Sequence, residues 1–158
     1  MSIRLTNGPA GCNLSMPMPK PEPLSQQQYE TLAAFRYALR QFIHFSEEAA
    51  HSAGITPQQH QALLAIKGFP GCDRVTVGEL AERLQLRHHS AVGLIDRLAG
   101  AKLAARESSP RDRRRVYVSL TRHGEAVLAR LSAAHSAQLK RLAPEFQLRL
   151  KQLASTDG

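Results

Sequence analysis

The chain has 158 residues, room for one domain with an appended interface, and 42% are hydrophobic while 5% are aromatic and none is Trp. A core drawn from Leu, Ala, Val and Ile favours helices over a sandwich, and the net charge of +8 points to a polyanion, either nucleic acid or an anionic membrane. No run approaches the roughly 20 apolar residues that span a bilayer, and no apolar signal stretch opens the chain. With only Cys12 and Cys72, a disulfide framework is excluded, so a reducing cytoplasm and no membrane partner are expected.

In chain order, residues 1–23 hold Pro9, Pro17, Pro19, Pro21 and Pro23 with Gly8 and Gly11, and predict a disordered arm. Over residues 24–53, Leu32, Phe35, Leu39, Phe42, Ser46, Ala49 and Ala53 recur at steps of three and four, the stripe of an amphipathic helix. About 45 Å of helix at 1.5 Å per residue exceeds what a small domain needs. Tyr29, Ile43 and Phe45 lie off the stripe, so a second apolar face is available to a partner subunit. Gly54 ends this helix.

Thr56 and Gln59 form a capping box around Pro57 and open a helix with Leu63, Leu64 and Ile66 inward. Thr76 and Glu79 form another, before a short helix with Leu80, Ala81 and Leu84 inward. A further helix to about Ala99 places Ala91, Leu94, Ile95 and Leu98 on one face, with Gly100 as its stop. Residues 103–107 and 114–120 are predicted strands around a Ser-Pro-Arg-Asp turn. Thr121 caps a helix bearing Val127, Leu128, Leu131, Leu139 and Leu142, and Pro144 is expected to start a last short one bearing Phe146, Leu150 and Leu153.

Two short helices with a tight turn, followed by a basic hairpin, make a winged helix-turn-helix. A helix fits the major groove and a slim hairpin reaches the neighbouring minor groove. On the second helix, His89, Val92, Gly93 and Asp96 point away from the core positions, flanked by His88 and Ser90 at the end that enters the groove. Gly93 permits close backbone approach. The hairpin holds Arg106, Arg111, Arg113, Arg114 and Arg115 against Glu107 and Asp112, the densest positive charge in the chain.

Residues 109–124, Ser-Pro-Arg-Asp-Arg-Arg-Arg-Val-Tyr-Val-Ser-Leu-Thr-Arg-His-Gly, resemble the wing signature D-P-x-D-R-R-x-x-x-V-x-L-T-x-x-G of the MarR family of bacterial regulators, with Ser109 in place of the first Asp. Residues 75–84 and 94–98 are also similar to that family's helix-turn-helix. The resemblance implies a mainly α fold with a small β-hairpin wing, set in a helical homodimer. Its parts would be the arm at 1–23, a dimerisation helix at 24–54, the DNA-binding domain at 55–120 and C-terminal dimerisation helices at 121–158. It implies base reading by Arg87, His88, His89, Ser90, Val92 and Gly93, with Arg97 beside them buttressing the wing or backbone. In the wing, Asp112 would orient Arg114 toward the minor groove, with Arg111, Arg113 and Arg115 on or beside the phosphates.

The expected function is that of a sequence-specific double-stranded-DNA-binding repressor on a pseudo-palindromic operator, with no enzymatic activity and no cofactor. The resemblance further implies release by a small anionic aromatic or phenolic ligand between the dimer helices and the winged domain. Candidates by position are Phe35, Arg36, Phe42, His44, Phe45, His51 and His60, with Arg36 and His44 expected to meet a carboxylate and Phe42 and Phe45 to supply apolar walls. The alternatives are effector-independent DNA binding or redox control through Cys12 or Cys72. Seven histidines invite a metal, yet no H-x₃-H or C-x₂-C pair exists and none is expected. His88 and His89 lack a neighbouring nucleophile or paired carboxylate, which argues against catalysis.

Overall fold

The computed structural model describes residues 23–108 and 115–154. The expected arm, apart from Pro23, and the hairpin tip with Arg111, Asp112, Arg113 and Arg114 lie outside the described residues. The elements run α1 (Gln26–Ser52), α2 (Pro57–Lys67), β1 (Arg74–Thr76), α3 (Val77–Arg83), α4 (His88–Gly100), β2 (Ala104–Ser108), β3 (Val116–Leu120) and α5 (Arg122–Ala154). The fold is mainly helical with one small antiparallel sheet, in the order β1-β3-β2.

Local chemistry sets the helix ends. Ser25, Thr56 and Thr76 each take part in a reciprocal capping box, opening α1, α2 and α3. Thr121 opens α5: its hydroxyl accepts from the Gly124 N–H at 3.0 Å and donates to the Lys102 carbonyl at 2.6 Å. At the other ends, α1, α3 and α4 close in one way. A left-handed residue (Gly54, Gln85 or Lys102) turns the chain, and the next N–H reaches back to Ala50, Ala81 or Leu98. Gly100 is therefore still helical, and Lys102 makes the turn expected of it.

The core lies in the winged domain. Leu63, Ile66, Val75, Leu80, Leu94, Ile95, Leu98, Leu103 and Val118 are fully buried. Val75 on β1 pairs with Val118 on β3, which joins the sheet to the helices. Leu64 faces outward instead, 51% exposed. The long helices α1 and α5 pack together, and Leu32, Phe35, Phe42, Ser46, Ala49 and Ala53 of the expected stripe are half-buried beside a more deeply buried line on α1. Thr31, Ala38 and Ala50 are its buried residues, while Leu39 is exposed. Small side chains bury most completely where two helix axes approach closely.

Helix α5 continues through Pro144, where a break was expected. Proline removes one ladder hydrogen bond and crowds the preceding turn. Here that loss is absorbed within a helix whose sides are held by neighbours, including an edge-on contact of Phe146 with Phe35 at 5.6 Å.

Candidate nucleic-acid interface

Helices α3 and α4 with their left-handed turn at Gln85 form the helix-turn-helix, and β2 and β3 form the wing. Ala91, Leu94, Ile95 and Leu98 are all fully buried, so the inner face of α4 is the expected one. This rotation leaves Arg87, His88, His89, Asp96 and Arg97 exposed, with Ser90, Val92 and Gly93 half-buried beside them.

The start of α4 differs from those of α1, α2 and α3: its N-cap is Arg87, with no side-chain cap. The first N–H groups of a helix seek an anion when no side chain satisfies them. Arg97 donates to Gln58 on α2 at 3.3 Å, and a Cβ added at Gly93 would lie 3.6 Å from its guanidinium. Arg97 thus ties α4 to α2. A polar contact between α4 and the wing comes from Arg106, whose Nη2 lies 2.7 Å from Asp96 Oδ1 and donates to the Val92 carbonyl at 3.4 Å. Arg115 is exposed where β3 begins. Together with His88 it borders a concavity between the start of α4 and the wing.

The ligand candidates scatter. An apolar cavity of about 610 Å³ opens between α1, α2 and α5, lined by Phe42 and His60 of the expected set. Phe45 does not line it but packs edge-on to His135, which does, at 5.5 Å. Phe35 packs on Phe146 further along α1, and Arg36 and His51 are exposed. His44 is exposed and paired with Glu48 at 3.4 Å. Neither Arg36 nor His44 lines the cavity, whose charged lining residues are Glu47 and Lys140.

His135 was not among the candidates, yet it organises this region. Its Nδ1 lies 2.6 Å from the Leu131 carbonyl and its Nε2 2.7 Å from Ser46 Oγ. A carbonyl only accepts, so Nδ1 carries a proton, and in the neutral ring Nε2 accepts from the Ser46 hydroxyl. The His60 ring lies 4.6 Å from that of His135. Burial, and then the nearby His135, hold the His60 pKa below its ordinary value of 6.5. A signal did exist: Val127, Leu128, Leu131 and His135 continue one inward stripe of α5.

Cys72 is exposed, its thiol donating to the Arg74 carbonyl at 3.3 Å, and Cys12 lies outside the described residues. Among the described residues no cluster of three or more His, Cys, Asp or Glu is placed to hold a metal, and no helix is long and apolar enough to cross a membrane.

Comparison with known proteins decides the family. A model described as MarR family matches residues 53–115. The chain is 32% identical over 121 residues to the HTH-type transcriptional repressor MdtR of Bacillus subtilis (strain 168), covering 70% of this chain and 76% of the relative. This chain belongs to the MarR family. Solved structures, among them the MarR family transcriptional regulator AbsC, share its fold. AbsC from Streptomyces coelicolor superposes with a TM-score of 0.67 at 24% identity, covering 84% of this chain and 92% of AbsC. The YusO protein from Bacillus subtilis gives 0.61 at 25%, covering 84% and 96%. A point mutant of MepR from S. aureus, bound to an oligodeoxyribonucleotide, gives 0.63 at 19%, covering 81% and 96%. As a MarR-family member, the chain is a DNA-binding transcriptional regulator with a winged helix-turn-helix.

Proposed function

We propose that the chain is a homodimeric repressor that reads a pseudo-palindromic operator, with α4 in the major groove and the β2–β3 wing in the minor groove. The uncapped start of α4 beside a basic hairpin carries this reading. On this reading Arg87, His88, His89 and Ser90 lie at the groove edge, and the wing arginines beside the backbone. MdtR is a repressor and a MepR point mutant has been solved bound to an oligodeoxyribonucleotide, which supports the same assignment. Dimerisation through residues 24–54 and 121–158 is supported by exposed apolar side chains on α1 and α5, including Tyr29, Tyr37, Leu148 and Leu150.

Release by a small anionic aromatic compound is the regulatory half of the proposal. The cavity offers apolar walls from Phe42 and Leu139, two imidazoles, and Lys140 as the cation, taking the role first expected of Arg36 and His44. The compound must prefer the conformation that cannot bind operator, since equal affinity for both would shift nothing. Linkage supplies the experiment. Titration calorimetry with a panel of benzoates and hydroxycinnamates, with and without operator, should give the same factor in both directions. Binding that leaves DNA affinity unchanged, or no binding at all, transfers support to effector-independent or thiol-based control.

A further inference from the structure

Strand β2 leaves the core early. Along β2 only Ala104 is buried; Ala105 is half-buried, and Arg106, Glu107 and Ser108 are exposed. Past Ala105 apolar burial continues on β3 alone, where Val118 opposite Arg106 is fully buried and Val116 and Tyr117 are half-buried, so on β2 itself polar side chains make the contacts to the neighbouring elements. Strand alternation sends Arg106 and Glu107 to opposite faces, and each meets an opposite charge. Glu107 lies 3.7 Å from Arg74, whose guanidinium sits 4.7 Å above the Tyr117 ring. Arg106 reaches across to α4, to Asp96 and to the carbonyl of Val92 one turn earlier.

Asp96 is a carboxylate on an element that must approach a polyanion. Unpaired, it would repel phosphate; paired with Arg106, its charge is largely offset. Both side chains are substantially exposed, so the pair contributes little to folding stability. What it restricts is orientation. A wing free to swing about its root loses that freedom on binding, which costs affinity wherever helix and hairpin must dock together.

We propose that Asp96 and Arg106 form a strut that sets the angle between α4 and the wing. Asp96 is then a positioning residue for operator binding and contacts no base. This rests on the DNA interface proposed above.

The probe is a duplex selected by the wild-type protein from a random-sequence pool, compared with unselected duplex. Asp96→Ala is expected to bind the selected duplex about three- to fivefold more weakly, the scale of an exposed ion pair. It should bind unselected duplex as well as wild type or better, because a negative charge is gone. The charge exchange Asp96→Arg with Arg106→Asp should recover most of the lost affinity, while neither change alone does. Equal or tighter binding of Asp96→Ala to the selected duplex overturns the strut, and so does an exchange no better than its halves. Arg87→Ala and His89→Ala separate the two claims. If both leave selected binding intact, the interface and the strut fail together. If they weaken it and Asp96→Ala does not, the strut alone fails.

Discussion

The imidazoles of His60 and His135 lie 4.6 Å apart and tilted by 37°, joining α2 to α5 at the foot of the cavity. His60 is almost wholly buried, and its pKa is lowered by burial first and by His135 second. Below 6.5 the unfolded chain therefore takes up a proton at this site before the folded one does. Stability contributed here is complete above pH 6.5 and falls with acidification through the lowered folded pKa. Thermal midpoints measured across this range should drop toward acid, and His60→Phe should flatten the drop. A slope unchanged in that variant would place the titration elsewhere.

Gly124 offers a sharper stability test. A Cβ there would come 2.9 Å from the carbonyl carbon of Leu103 and closer still to its oxygen. The clash is with backbone, which cannot rotate away. Gly124→Ala should cost at least about 2 kcal/mol in urea unfolding, toward the upper part of the range for overpacked sites. A near-neutral change would mean that the start of α5 and the α4–β2 link at Leu103 are free to separate.

Truncating the inner face of α4 should act differently. Leu94 is fully buried in the winged core, so Leu94→Ala is expected to lose about 2–5 kcal/mol. Chemical denaturation measures this directly, and a loss below about 1 kcal/mol would contradict the packing described.

Oligomeric state tests the apolar faces of α1 and α5. Light scattering of the wild type should give twice the 17.4 kDa chain mass, and Tyr37→Glu with Leu148→Glu should shift it toward the single chain. Both side chains are more than half exposed in the isolated subunit. Monomeric wild-type protein at micromolar concentration would remove the dimer from the proposal.

In the wing, the family resemblance implies that Asp112 orients Arg114. Arg114→Ala should cost about 1–3 kcal/mol of operator binding if the side chain reads the groove. Asp112→Ala should weaken binding as well, although it removes a negative charge. Tighter binding in a gel-shift titration would refute the orienting role.

The legible parts of the fold were those written in local chemistry. The capping boxes at Thr56 and Thr76 and the inward face Ala91, Leu94, Ile95 and Leu98 are each set within a few residues of sequence. Strand β1 escaped because three residues carry no period, and only its pairing with β3 makes it a strand. Leu39 and Leu64 were placed inward by spacing, but which side of a helix is covered depends on where its neighbour lies. The site divides the same way. The exposed residues of α4 followed from rotation about its buried face. His135 meets Ser46 across 89 positions, a contact no local pattern encodes. Arg36 and His44 were sensible cations for an anion, yet both project away from the cavity wall.

Pro144 makes α5 one helix in shape with a rung missing from its amide ladder. The carbonyl four residues earlier belongs to Lys140, which borders the cavity, and proline offers it no N–H. Protection against hydrogen exchange should therefore come in two lengths. Amides around Val127, Leu128, Leu131 and His135, anchored in buried packing, should open only with the domain. Those beyond Pro144, where Leu148 and Leu150 are exposed in the isolated subunit, should exchange through local opening, at rates set by whatever covers them.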